Sequence, residues 1–221
     1  MALIFFYIVT VPYLITLFFN AFVRVIMSLY LVKSGKNQPD NVKNANLVII
    51  AGYFYLITGL ILNFLPLLTF YNVTPGEYQF YKGYQLFTWI FYSIIWLVSF
   101  GILFIIFAYK NREIYKNYLL TGAFLMCVAF ILQIIVSTIF YTLCLDDIFY
   151  DPFFTIEGHL DWYIYFALND ILLTVYALSV AFFVVHSKIN QDKFMLRASL
   201  LIIVRHLTGM FLNIMIFLFG T

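Results

Sequence analysis

Trp162–His186, WYIYFALNDILLTVYALSVAFFVVH, decides the fold. The stretch is apolar enough to cross a bilayer, and at about 1.5 Å per residue it is long enough as a helix. Yet it carries Asn169 and Asp170 well inside. An ionised side chain at that depth costs a few kcal/mol, so Asp170 is expected to face protein or water rather than lipid.

The rest of the chain has the same character. Of its 221 residues, 65% are hydrophobic and 10% charged, with a mean hydropathy of +0.99. A soluble domain carries roughly 25% charged residues, so lipid must be the solvent for most of this surface. The net charge of +2 gives no case for nucleic acid. The reading is an all-α integral membrane protein, a polytopic bundle of six transmembrane helices forming a single domain. The spans are placed at about 2–32, 45–71, 85–109, 118–144, 162–186 and 198–220. The start of the chain has no basic segment and no small-residue cleavage pattern, so the first span reads as a retained helix.

Charge distribution orients the bundle. The loops after spans 1, 3 and 5 each hold three Lys or Arg, whereas the loops after spans 2 and 4 together hold only Lys82. By the positive-inside rule the first set faces the cytoplasm, or the matrix of a mitochondrion, and both termini lie on the outer side. The fourth loop, 145–161, then becomes an acidic outer lid with five acids and no Lys or Arg. The membrane is not specified; the mitochondrial inner membrane and the plasma membrane are the two settings considered.

The polar residues inside spans are the candidate sites. Asp170 lies about 12 Å from the outer end of span 5, and Arg205 about 11 Å from the inner end of span 6. In a core about 30 Å thick their levels differ by some 7 Å, a gap an arginine bridges. An Asp170–Arg205 clamp between antiparallel neighbours is therefore expected. Asp170, Thr174 and Ala177 share one helix face, and Arg205, Gly209 and Asn213 another, with His206 and Thr208 beside them. Asn63, Gln133 and Asn169 complete the buried polar set, and amides of this kind usually bond across helices. Arg24 is expected to snorkel to the interface, and Gly52 and Gly59 to allow close helix approach. Trp89, Tyr92 and Trp96 form an aromatic stripe, with Trp96 deep enough to be packing.

Several chemistries find no support. His186 and His206 lie at different depths, against a bis-histidine haem. His159, with Glu157 and Asp161, fits no compact zinc spacing. Cys127 and Cys144 would lie about 25 Å apart on one helix, too far for a disulfide. No protease, hydrolase or phosphate-binding motif occurs. No catalytic residue, metal or cofactor is assigned. The expected function is a non-catalytic integral subunit of a larger membrane complex, with membrane lipids and other membrane subunits as partners; energy-transducing complexes are the class considered. Two alternatives remain: a small transporter or channel using Asp170 and Arg205, and a receptor-like helical bundle. The loop order matches the first six spans of a seven-helix receptor, without the seventh span or a cysteine pairing span 3 to loop 4.

Overall fold

The computed structural model describes residues 2–64, 78–115, 117–144 and 160–204. All secondary structure among these is helical. In order come α1 (Ala2–Lys36), α2 (Asn46–Phe64), α3 (Tyr78–Trp96), a π-helical segment (Leu97–Ile102), α4 (Leu103–Lys110), α5 (Tyr118–Ile139), a second π segment (Phe140–Cys144) and α6 (Leu160–Ile189). A last helix, α7, covers residues 193–204. Among the described residues, three rods are long and apolar enough to cross a membrane: Lys82–Lys110, Tyr118–Cys144 and Leu160–Ile189. Large apolar side chains such as Phe22, Phe87 and Phe124 point outward, as befits a membrane-embedded protein. Residues 65–77, most of the acidic loop with Glu157 and His159, and most of the sixth expected span lie outside the described residues.

The most extensive helix contacts join α1 to α2 and α5 to α6. Small residues make both possible. A Cβ on Gly52 would sit 2.9 Å from Val32 Cγ2 and 3.1 Å from the Ser28 carbonyl, and one on Gly35 would sit 3.0 Å from the Ala45 carbonyl. On the other pair, Ser179 Oγ donates to the Gly122 carbonyl at 2.7 Å. Between helices this apolar all round, close backbone approach and such crossing bonds carry the packing.

Most of the other buried hydroxyls do not tie helices together. Those of Ser28, Ser187 and Ser199 donate to the carbonyl one turn back in their own helix, at 2.6 to 2.9 Å. The donor is satisfied where no water is available. Gln133 behaves similarly. Its Nε2 donates to Ser137 Oγ at 3.0 Å, one turn on in the same helix, rather than across to a neighbour.

An aromatic spine runs down the third rod. Tyr92, Trp96, Phe100 and Phe104 are all buried and recur every four residues. In a regular α-helix a four-residue step drifts about 40° around the axis, so the stripe would leave the core within a few turns. The π segment Leu97–Ile102 interrupts that drift with a wider turn and keeps Phe100 and Phe104 inward. Trp96 packs on Phe130 at 5.7 Å between centroids, and Phe104 meets Phe183 edge-on at 5.4 Å. The spine thereby reaches both α5 and α6, and Trp96 is a packing residue, as its depth in the span led one to expect.

Arg24 departs from expectation. It is only 5% exposed, with its guanidinium carbon 5.0 Å from the Trp96 ring centroid and 5.6 Å from that of Tyr92. It lies about 18 Å along the helix from Lys36, too far for snorkelling past that end. The two ring faces instead receive the cation inside the bundle, an interaction worth about 2 kcal/mol when desolvated.

Gly52→Leu is expected to lower stability by about 1–3 kcal/mol, because its neighbours include backbone that cannot yield. A Cβ on Gly83 would meet nothing within 4 Å, so Gly83→Ala should be neutral or raise stability by up to about 1 kcal/mol. Thermal melts of the purified variants in one detergent test the contrast.

Candidate functional site at the basic loops

The sequence-derived polar set is only partly brought together. Asp170 is exposed, as are Thr174 and Ala177, so no described helix covers that face. Thr174 Oγ1 donates to the Asp170 carbonyl in its own helix at 2.9 Å. Asn169 and Gln133 are half-buried. Asn63 falls on α2 with its side chain outside the described set, and Arg205, His206 and Asn213 lie beyond the described residues. Cys127 and Cys144 form no disulfide. Among the described residues, no cluster of three His, Cys, Asp or Glu is placed to hold a metal.

The densest polar arrangement lies elsewhere, where the three Lys- and Arg-bearing loops converge at one end of the bundle. Its centre is Asp192. Oδ2 accepts from Ser34 Oγ at 2.6 Å and from Gln38 Nε2 at 2.9 Å. Oδ1 accepts the backbone N–H groups of Phe194 and Met195 at 3.1 and 2.9 Å. The second pair caps the first turn of α7, the usual use of an Asp at that position, where the helix dipole also favours negative charge. The first pair reaches α1 and the loop after it.

Local backbone geometry delivers Asp192 to this point. Gln191 adopts a left-handed conformation with φ 55°, and the Asp192 N–H bonds back to the Ser187 carbonyl at 2.9 Å. This is the reach-back bond of a Schellman helix end, with Gln where glycine is usual. The chain reverses within residues 190–192, so α6 and α7 stay close.

Two further ties complete the face. Asn111, 1% exposed, accepts the Lys43 N–H at 2.7 Å and donates Nδ2 to the Lys43 carbonyl at 2.8 Å. One side-chain amide thus pairs with a backbone unit as a strand neighbour would, locking the first loop to the third. Tyr115 donates its hydroxyl to Gln38 Oε1, and its ring meets His186 edge-on at 4.9 Å. Gln38 is therefore held from both sides, by Tyr115 at its oxygen and by Asp192 at its nitrogen.

The protonation of His186 follows from its partner. Asn190 Nδ2 donates to the His186 carbonyl at 2.9 Å, which fixes the orientation of the amide. The same nitrogen lies 3.1 Å from His186 Nδ1. An amide NH2 can only donate, so Nδ1 accepts and the ring proton sits on Nε2.

The chain matches no protein-family model, no curated protein and no solved structure. What this face does must follow from its own geometry.

In the sequence these residues look like ordinary loop. One signal is available there: Asp192 stands directly before the last helix, the position of an N-cap. Nothing in the spacing marks Ser34, Gln38, Asn111 or Tyr115, because their partners lie far away along the chain.

Burial, and secondarily the negative charge of Asp192, push the Tyr115 hydroxyl up to about 12. The folded chain therefore keeps a proton that the unfolded chain releases near pH 10. Stability falls as pH rises through that interval and is unaffected by this group below it. Tyr115→Phe should flatten the part of the decline between about pH 10 and 12, read as melting temperature against pH for both proteins. Asp192→Ala removes a cap and two charge-assisted bonds, and is expected to cost about 2–3 kcal/mol. Asp192→Asn, which still caps, should cost less in the same melts.

Proposed function

We propose that this chain is a non-catalytic integral subunit of a membrane protein assembly. In this reading it has six spans, both termini on the outer side, and its basic loops on the cytoplasmic or matrix side. The observation that carries the proposal is the uncovered face of α6 bearing Asp170, Thr174 and Ala177. Only 28% of the most apolar window of this helix is buried. An acid at span depth is costly against lipid, so that face needs a protein neighbour. Arg205 within the chain is one; an adjoining subunit seated over the same face is the other.

The packing favours this over a solute path. Between Leu31, Phe100, Phe104, Phe183, Met195 and Ser199 the core leaves a cavity of about 10 Å³, room for about one water. Aromatic rings, Tyr92, Trp96, Phe100 and Phe104 among them, fill the core along the third rod. Gln133 bonds within its own helix, to Ser137.

Purification in mild detergent is expected to return the chain with stoichiometric partner subunits, and Asp170→Asn to weaken that association at least several-fold. A lone monomer from gently solubilised membranes would sink the subunit reading. The charge swap Asp170→Arg with Arg205→Asp separates the two neighbours. Recovery of folded yield in the double variant, after loss in each single one, identifies the pair within the chain.

A further inference from the structure

The ties between the three basic loops do not close their end of the bundle. They hold the loops around an open cavity of about 360 Å³, lined among others by Gln38, Tyr115, His186, Asn190, Asp192 and Lys193. This is within the range of small-ligand sites, roughly 300–1,000 Å³. The walls are fixed by buried groups: His186 is 4% and Tyr115 6% exposed, and the loops are cross-bonded through Asp192, Gln38 and Asn111. A cavity whose walls are tied this firmly needs little reordering to accept a ligand.

The lining offers an ammonium and several side-chain amides whose N–H groups can donate. Lys193 brings an ammonium, Asn37, Asn41 and Gln191 bring side-chain amides, and the His186 ring carries its proton on Nε2. Lys33, over the Phe194 ring at 5.9 Å, adds a second cation beside the wall. The carboxylate present, Asp192, is engaged by four donors from the protein. Its charge serves the wall and the first turn of α7. A ligand rich in acceptors and negative charge answers such a lining.

Position narrows the choice. The cavity sits just beyond Lys110 and Ile189, where two of the apolar rods end. That is the level of lipid headgroups, which occupy several Å on each side of the hydrocarbon core. The three loops around it also carry nine Lys or Arg, the composition that attracts anionic lipid. We propose that this cavity binds a phosphate group, supplied by the headgroup of an anionic phospholipid or by a soluble phosphate. Binding there is independent of what covers the Asp170 face.

The test uses the full chain in detergent and native mass spectrometry with three probes: dioctanoyl phosphatidic acid, dioctanoyl phosphatidylcholine and inorganic phosphate. Phosphatidic acid should bind with a stoichiometry of one and at least about fivefold more tightly than phosphatidylcholine. The double variant Lys33→Gln, Lys193→Gln should lose about fivefold or more, from the loss of two surface cations. Lys82→Gln, at the opposite end of the third rod, should bind as the parent does. Both variant positions lie at the rim, and melting temperatures without ligand verify that the fold is kept. Competition by inorganic phosphate, or phosphate binding without any lipid preference that is lost in the double variant, assigns the site to soluble phosphate. Lipid binding indifferent to inorganic phosphate assigns it to the headgroup. Equal binding of the two lipids with no phosphate effect, or a double variant that binds every probe like the parent, overturns the proposal.

Discussion

The carboxylate of Asp192 is the interaction on which the basic end of the bundle depends. One residue ends the turn after α6, caps α7 and accepts from α1 and its following loop. A charge near low-dielectric surroundings is tolerable only when its lone pairs are filled, and here four donors fill them. The arrangement also makes these contacts interdependent. Removing the acid would take the acceptor from the Ser34 hydroxyl and leave Gln38 Nε2 with only its bonds to Ser34, and loosening Gln38 would in turn loosen the hold on Tyr115.

The middle of the bundle obeys a different rule. With large apolar side chains both outside and inside, there is little hydrophobic gradient between core and surface, so geometry discriminates. Glycines set how closely α1 meets α2 and α5 meets α6. The π segment keeps the spine of the third rod facing inward. Arg24 fits the same logic: in an interior of rings, the quadrupole faces of Trp96 and Tyr92 replace part of the solvation a guanidinium loses.

The all-helical character and three membrane-length rods were legible because each is a long apolar run with polar punctuation. Tyr118–Cys144 was placed at its observed limits, and the clustering of the three basic loops at one end agrees with their charge pattern. The interior polar chemistry was less legible. Gln133 and Ser137 lie one turn apart, and spacing does not say whether an amide bonds along its helix or across. Arg24 near a helix end read as an interfacial residue because the rings that hold it lie about seventy residues away. The basic-loop network was hidden for the same reason: Asn111 to Lys43 and Asp192 to Ser34 are long-range pairs between residues unremarkable in their own neighbourhoods. The last span was expected to begin at about 198, so Asp192 was read as loop; even as an acid before a helix it would mark a cap and not a hub.

The pairing of Asn111 with the backbone at Lys43 has a practical side. Polar connections between spans are the customary places to insert an epitope, a fluorescent protein or a protease site, on the assumption that they hang free. Here the first loop is bonded on both sides of its proline, at Gln38 and at Lys43. An insertion between those points would prise apart three loops rather than lengthen one. Resistance to proteolysis at this end therefore says little about whether it is shielded by a bound protein, because its own bonds already hold the loop in place.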